Sequence, residues 1–239
     1  MTSSHRLPGA TPVPFITLRE NEHDVSDRSL ALRPFRNGLG LCYADEQDDD
    51  RDPSGILYAR VTQTRNPTNW PTGKPHWKQV HPARQRECAS DMLCHVCKEQ
   101  PSRNELGILF IDVLGPKGRA EAARLEGMRT FQPPVCLRHA KTAIDLCPHL
   151  RRNTFVAMRV AAPRLVGMLG TPYTITGLTL TPARTPNGTA AKPAIIPFNH
   201  PQRHYFLGAQ YAIQLNQVTV IDLDNELAKA TTRGRVTIT

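Results

Sequence analysis

The 239-residue sequence has no run of 18 or more consecutive apolar residues, so no segment is predicted to cross a membrane as a helix. It also has no apolar stretch of signal-peptide length after its early basic residue, Arg6, which argues against secretion. We therefore expect a cytoplasmic protein with reduced cysteines. In that compartment the six cysteines are better explained as metal ligands or buried thiols than as disulfides.

Common catalytic motifs are absent as well. The sequence contains no P-loop, no His-Glu-x-x-His of a zinc protease, and no His-x-Glu ahead of a cysteine pair as in zinc deaminases. A divergent HNH-like nuclease would need a histidine general base near its ligand pairs, and residues 98–135 contain no histidine. We therefore expect a protein that is not an enzyme, and the nuclease is kept only as a third alternative.

Proline is abundant and the net charge is strongly positive. The 21 prolines favour short elements joined by ordered loops, because proline breaks helix interiors and cannot donate in a β-ladder. A hydrophobic content of 39% allows a globular core. The predicted class is α+β, with short strands and helices around a metal-binding module. The net charge of +9 permits a polyanionic partner without requiring one.

Four segments are predicted along the chain. Residues 1–11 form a loose tail, 12–80 a strand-rich region, 81–150 the metal module, and 151–239 a C-terminal α/β region that packs on the rest. The strands before and after the module are expected to pack together. Within the last segment, apolar residues at helical spacing predict a helix over 203–215.

The strongest signal is a pair of short motifs that together supply four zinc ligands. Cys94 and Cys97 form a Cys-x-x-Cys pair, and Cys136 and His139 lie three residues apart at the start of a predicted helix. Residues i and i+3 of a helix share a face, so both side chains of the second pair can point at one ion. A cysteine pair, a strand over 107–113 and a helix that carries the second pair form a treble-clef-like arrangement. We therefore predict a structural Cys3His site that binds Zn²⁺.

Cys147 and His149 are weaker candidates for a ligand. If one helix spans 136–147, its two terminal cysteines lie roughly 16 Å apart at about 1.5 Å per residue, too far to share an ion. Cys147 is therefore expected to be a buried residue that closes the helix. A site that uses Cys147 and His149 remains the alternative.

The same motifs resemble a recurrent group of uncharacterised actinobacterial zinc-binding proteins. The resemblance rests on CHVC, PPVCLRHA and LCPHLRR, and it extends over about residues 39–225. It implies a zinc module and carries over no activity. Members of the group are expected to have cysteine where this sequence has His139. That change replaces an all-cysteine ligand set with three cysteines and a histidine, and both sets are compatible with zinc.

Basic residues flank the predicted module on both sides. Trp70 and Trp77 lie among the basic residues of 60–90, and cations beside aromatic rings suit phosphate contact and base stacking. We therefore predict contact with DNA or RNA as one function. The alternatives are an adaptor that binds or assembles another protein, and an ordinary basic surface with both Trp side chains in the core. The candidate nucleic-acid residues are Arg84, Arg86, Arg138, Lys141, Arg151 and Arg152.

Overall fold

The computed structural model of the protein describes residues 12–35, 38–114, 122–147, 150 and 154–232. The predicted tail over 1–11 and the candidate residues His149, Arg151 and Arg152 lie outside the described residues. Strands and helices are both present, which confirms the mixed α+β class. Among the described helices, none is long and apolar enough to cross a membrane.

Most of the elements are short, as the proline content predicts. The strands, in chain order, are β1 (Thr17–Arg19), β2 (Leu30–Phe35), β3 (Gly38–Tyr43), β4 (Leu57–Tyr58), β5 (Pro75–Val80), β6 (Arg103–Asn104), β7 (Gly107–Leu114), β8 (Arg129–Thr130), β9 (Thr154–Val160), β10 (Arg164–Thr176), β11 (Thr179–Pro182), β12 (Ala194–Pro197), β13 (Phe206–Gln214) and β14 (Val218–Ile221). The helices are α1 (Pro82–Ser90), α2 (Ala122–Leu125), α3 (Leu137–Leu146) and α4 (Leu223–Thr232).

Two sheets pack face to face. The first runs β14–β9–β7–β6, and all of its neighbouring strands are antiparallel. The second is built on the antiparallel pair β10 and β13, with β11, β12, β4 and β8 along their edges. Ile108, Phe110 and Met158 of the first sheet join Met168 and Ile213 of the second in one buried cluster, the main core. Pairing of β7 with β9 also joins the predicted metal module to the C-terminal region.

Strand β7 is buried on both faces because its alternate side chains enter two different cores. Ile108 and Phe110 face the main core, whereas Leu109 and Ile111 face the opposite way. There they form a second core with α3, α4 and the segment around Cys94. The uninterrupted apolar sequence of β7 is typical of such a central strand, and the strand predicted over 107–113 is confirmed. The second core supports the candidate site.

Helix α1 fills a gap in the edge of β13. On the side away from β10, β13 pairs with β4 and β8 only near its two ends. Between them, Tyr211 N–H donates to Gln85 Oε1 at 2.9 Å, and Gln85 Nε2 donates to the Tyr211 carbonyl at 3.0 Å and to the Phe131 carbonyl at 2.8 Å. The side chain of Gln85 thus takes the place of a strand and fixes α1 to the second sheet.

The helix predicted over 203–215 is wrong. The segment forms a short 3₁₀ turn followed by strand β13. Its apolar residues have helical spacing only because β13 contributes side chains to separate clusters on both of its faces. Phe206 and Ile213 enter the main core, whereas Leu207 packs in another cluster. A strand buried on both faces shows no two-residue alternation that would distinguish it from a helix.

Candidate metal centre

Four donor side chains converge where the Cys94–Cys97 turn meets the start of α3. The thiol sulfurs of Cys94, Cys97 and Cys136 and a ring nitrogen of His139 all lie within 4.8 Å of one another. His139 Nδ1 is 3.8 Å from Cys94 Sγ and 3.0 Å from Cys136 Sγ. Cys94 and His139 are buried, and Cys97 and Cys136 are half-buried. The four predicted ligands therefore form one group that can bind a metal ion.

Residues 94–97 form a tight turn, the knuckle turn, which is closed by backbone hydrogen bonds. Lys98 N–H donates to the Cys94 carbonyl at 2.8 Å, and Cys94 N–H donates to the Glu99 carbonyl at 2.8 Å. Lys98 has a φ of 59°, in the left-handed region, which reverses the chain directly after the second cysteine. The turn brings the sulfurs of Cys94 and Cys97 together.

The second pair is positioned by the start of α3. Cys136 is the N-cap residue of α3 and forms no side-chain capping hydrogen bond, and His139 follows one turn later on the same face. The knuckle turn holds the preceding chain, since His95 N–H donates to the Pro134 carbonyl at 3.0 Å. The His95 ring Nδ1 lies 2.9 Å from the Pro133 carbonyl and 3.0 Å from that of Pro134. Because a carbonyl only accepts, this nitrogen carries the hydrogen. His95 thus links the two donor pairs and does not belong to the donor group.

Backbone hydrogen bonds also tie both pairs to the rest of the fold. Val135 N–H, next to Cys136, donates to the Leu109 carbonyl of β7 at 3.0 Å. On the other side, Phe15 N–H donates to the Val96 carbonyl of the knuckle turn at 3.1 Å. The donor group is therefore held between the first sheet and the N-terminal segment before β1.

The three thiols do not ionise independently. Hydrogen bonds from Cys136 and Cys97 stabilise the Cys94 thiolate and hold the pKa of Cys94 well below its usual range. Hydrogen bonding with Cys136 and Cys94 raises the pKa of Cys97, and hydrogen bonding with Cys94 raises the pKa of Cys136 to about 11. By themselves the three sulfurs therefore favour a single thiolate, and a bound cation is what would stabilise three.

Cys147 is separate from the donor group. It is the C-cap residue of α3, at the opposite end of the helix from Cys136, and a rise of about 1.5 Å per residue separates the two by roughly 16 Å. Within the described residues it belongs to no metal-competent group. This agrees with the sequence argument that separates Cys147 from Cys136, but Cys147 is half-buried and not buried as predicted. The alternative site with His149 stays a prediction, because His149 lies outside the described residues.

Both candidate nucleic-acid residues on α1 bind partners within the protein. Arg84 is completely buried, and its guanidinium donates to both carboxylate oxygens of Glu22, at 2.6 and 2.7 Å. The prediction that Arg84 contacts nucleic acid is wrong, because a buried guanidinium that is paired with a carboxylate is inaccessible to phosphate. Arg86 is half-buried; it lies 4.0 Å from the centre of the Tyr58 ring and donates to the Ala209 carbonyl at 3.0 Å.

The candidates on α3 are more accessible. Arg138 is exposed in the first turn of α3. Lys141 lies one turn further on and forms an ion pair with Asp145, with Nζ and Oδ1 2.6 Å apart. The two tryptophans differ in the same way: Trp70 packs against Phe15 with ring centres 5.2 Å apart, whereas Trp77 is 60% exposed. Of these side chains, Arg138 and Trp77 are the ones open to a ligand.

A charge asymmetry that sequence reasoning missed runs through the C-terminal half of the chain. Residues 146–221 contain no Asp or Glu, and we call this segment the acid-free run. Arg159 in it is buried in an ion pair with Glu226. Arg164, Arg184 and Lys192 in it are exposed. Counting where carboxylates are missing, instead of where basic residues cluster, would have found this segment.

No known protein family, no curated protein and no solved structure matches the chain. The resemblance to the actinobacterial zinc-binding group is not tested by these comparisons and stays a prediction. Function is therefore inferred from side-chain geometry and charge.

Proposed function

We propose that the Cys3His group is a structural zinc site in a protein that is not an enzyme. The observation that supports this most directly is the convergence of four donor atoms within 4.8 Å. Thiolate and imidazole are the usual donors to zinc, and bond lengths of about 2.3 and 2.0–2.1 Å put tetrahedral sulfur and nitrogen donors roughly 3.6 Å apart. The distances from His139 Nδ1 to Cys136 Sγ and Cys94 Sγ, 3.0 and 3.8 Å, bracket that value.

The order of elements supports a treble-clef-like module. The knuckle turn, the hairpin of β6 and β7, and the first turn of α3 follow one another along the chain, with α2 and β8 between the hairpin and α3. Zinc held by two residues from the knuckle turn and two from α3 would join these parts covalently. Four protein donors fill a tetrahedral coordination sphere, so no position is left for a reactive water. This is why we infer a structural role instead of catalysis.

Metal analysis of purified protein and three single variants tests the zinc site. We expect about one zinc per chain in the wild type and in His139→Cys, because thiolate and imidazole both suit the ion. His139→Ala should lower the zinc content well below that level, and Cys147→Ala should leave it unchanged. Loss of zinc in Cys147→Ala but not in His139→Ala would show that the fourth ligand is assigned incorrectly. A wild-type protein without zinc would overturn the proposal.

We propose contact with nucleic acid as a second function, supported by the acid-free run. The exposed side chains of Arg164, Arg184 and Lys192 are carried by a segment that has no carboxylate of its own, and Arg138 is exposed on α3. Positive charge of this kind attracts the phosphate backbone, and release of condensed counterions drives the binding. An adaptor that binds another protein is the alternative.

The salt dependence of binding separates these two functions. We expect the observed affinity for DNA or RNA to fall linearly in a log–log plot, with a slope of about −0.7 to −0.9 per neutralised phosphate. Arg138→Ala should make the slope shallower by about one phosphate contact. The measurement is fluorescence anisotropy over a salt series, with zinc determined in the same samples because Arg138 lies between two ligands. Absence of salt-dependent binding would reject nucleic-acid contact and favour the adaptor.

A further inference from the structure

Three strands of the second sheet place two arginines in one row. Arg129 of β8 and Arg164 of β10 both pair with Gln214 of β13, from its two sides. Directly paired residues of an antiparallel sheet point to the same face, so the three side chains stand next to one another. With neighbouring strands about 4.8 Å apart, the two arginine backbones are separated by about 10 Å. We call these three residues the arginine row.

The arginine row is on the outer face of the sheet. The adjacent row consists of Thr130, Ile213 and Leu165; Ile213 lies in the main core and Leu165 packs against it. Side chains alternate along each strand, so the arginine row points away from that core. Both arginines are exposed, and Gln214 is half-buried. In the part of the chain that the structure describes, neither guanidinium has a hydrogen bond or a carboxylate partner.

The nearby polar groups leave the positive charge of the row without a carboxylate partner on its own strands. Glu126, shortly before β8 in the sequence, is already engaged, since its carboxylate accepts the N–H groups of Gln217 and Val218 at 2.9 and 3.0 Å. Gln214 Nε2 donates one hydrogen to Asn216 Oδ1 at 3.0 Å and has a second one available. β10 and β13 both belong to the acid-free run, so neither supplies a carboxylate. Like charges in one row repel each other, and an anion between them would relieve that repulsion.

We propose that the arginine row binds a phosphate group. A guanidinium can donate two parallel N–H hydrogen bonds to the oxygens of one phosphate. The guanidinium groups of Arg129 and Arg164, on either side of Gln214, can converge on the same phosphate. The phosphate comes from a nucleic-acid backbone or from a free phosphorylated molecule. The first source is the one expected here, and in that respect the inference rests on the proposed nucleic-acid contact.

The test compares two double variants of the full-length chain. Arg129→Ala/Arg164→Ala removes the row, and the matched control Arg28→Ala/Arg103→Ala removes the same charge from two exposed positions outside the acid-free run. Binding is measured by anisotropy with labelled single-stranded and duplex DNA, and by calorimetry with inorganic tripolyphosphate. Zinc content and thermal unfolding confirm that each variant is folded. If the alanine pair lowers Tm, Arg129→Gln/Arg164→Gln replaces it, because glutamine keeps much of the side chain without the charge.

We expect the row variant to bind DNA at least about tenfold more weakly at low salt, with a slope shallower by about one to two phosphate contacts. The control should stay within about threefold of the wild type, because it loses only general charge attraction. Equal weakening in both double variants would overturn the arginine row and leave nucleic-acid binding intact. Binding of tripolyphosphate that needs the row, without DNA binding, would reject nucleic acid and identify a site for free phosphates. Binding of neither probe would overturn both proposals.

Discussion

Cys136→Ser is expected to destabilise the protein strongly, beyond its effect on metal content. Cys136 begins α3, and α3 closes the second core by packing Leu137 and Ala140 against Leu109 of β7. The free energy of zinc binding at a structural site is part of the free energy of folding. We therefore expect the free energy of unfolding to fall by several kcal/mol, a large share of the ~5–15 kcal/mol typical of a domain. Urea denaturation with parallel zinc analysis measures both quantities.

Cys147→Ala is the matched control for this experiment, because it removes a thiol from the other end of the same helix. We expect full zinc content and a loss of about 1 kcal/mol, from packing alone. A chelator should destabilise the wild type to the level of Cys136→Ser and should have little further effect on that variant. If Cys136→Ser loses zinc and keeps the stability of the wild type, the metal contributes no folding energy and the structural role is wrong.

The four donors of this group were predictable because each pair is encoded within four residues. A Cys-x-x-Cys turn and two residues one helical turn apart constrain geometry locally, so sequence spacing is sufficient to select Cys94, Cys97, Cys136 and His139. The same local reasoning separated Cys147 from Cys136, since helix rise alone sets their distance. The spacing did not predict the contacts that hold the two pairs in place. His95 links the two pairs through the carbonyls of Pro133 and Pro134, and that contact spans 38 or more residues.

Three other features could not be predicted because they depend on contacts distant in sequence. Strand β13 was predicted as a helix, since a strand buried on both faces has apolar residues at every spacing. Arg84 is a candidate nucleic-acid residue in the sequence because it lies in the basic stretch of residues 60–90. Its partner Glu22 lies 62 residues earlier, and no local pattern joins them. The arginine row also depends on register, because Arg129 and Arg164 meet only through their pairing with β13.

Glu22→Gln is expected to cost about 3–5 kcal/mol of unfolding free energy, the loss typical when one partner of a buried ion pair is removed. The side chains of Glu22 and Arg84 are both completely buried. The Glu22 carboxylate accepts two bonds from Arg84, one from Arg19 N–H at 2.8 Å and one from Thr64 N–H at 3.2 Å. Glutamine keeps the shape of the side chain but leaves the buried charge of Arg84 without a counter-ion. Urea denaturation at neutral pH measures the loss.

Two further variants separate the loss of an ion pair from general damage. Glu22→Gln/Arg84→Met removes both charges of the pair and should recover part of the stability, because the buried guanidinium of Arg84 is then no longer left without its counter-ion. Glu20→Gln is the matched control, since Glu20 pairs with Lys74 at 3.3 Å and the two side chains are 52% and 78% exposed. An exposed pair contributes about 0–1 kcal/mol, so this variant should be close to the wild type.

Acid titration gives the same ion pair a second, independent signature. Burial alone would raise the pKa of Glu22, but hydrogen bonds from Arg84, Arg19 and Thr64 outweigh it, so the pKa is lowered in the folded protein. The unfolded chain then binds the proton more tightly, with a pKa of about 4.3. The stabilisation is therefore complete above that pH and is lost as the pH falls through the lower folded pKa. We expect the wild type to lose stability below about pH 4.3 more steeply than Glu22→Gln, which has no carboxylate to protonate. Parallel pH dependences, or a Glu22→Gln cost no larger than that of Glu20→Gln, would show that the buried pair does not stabilise this fold.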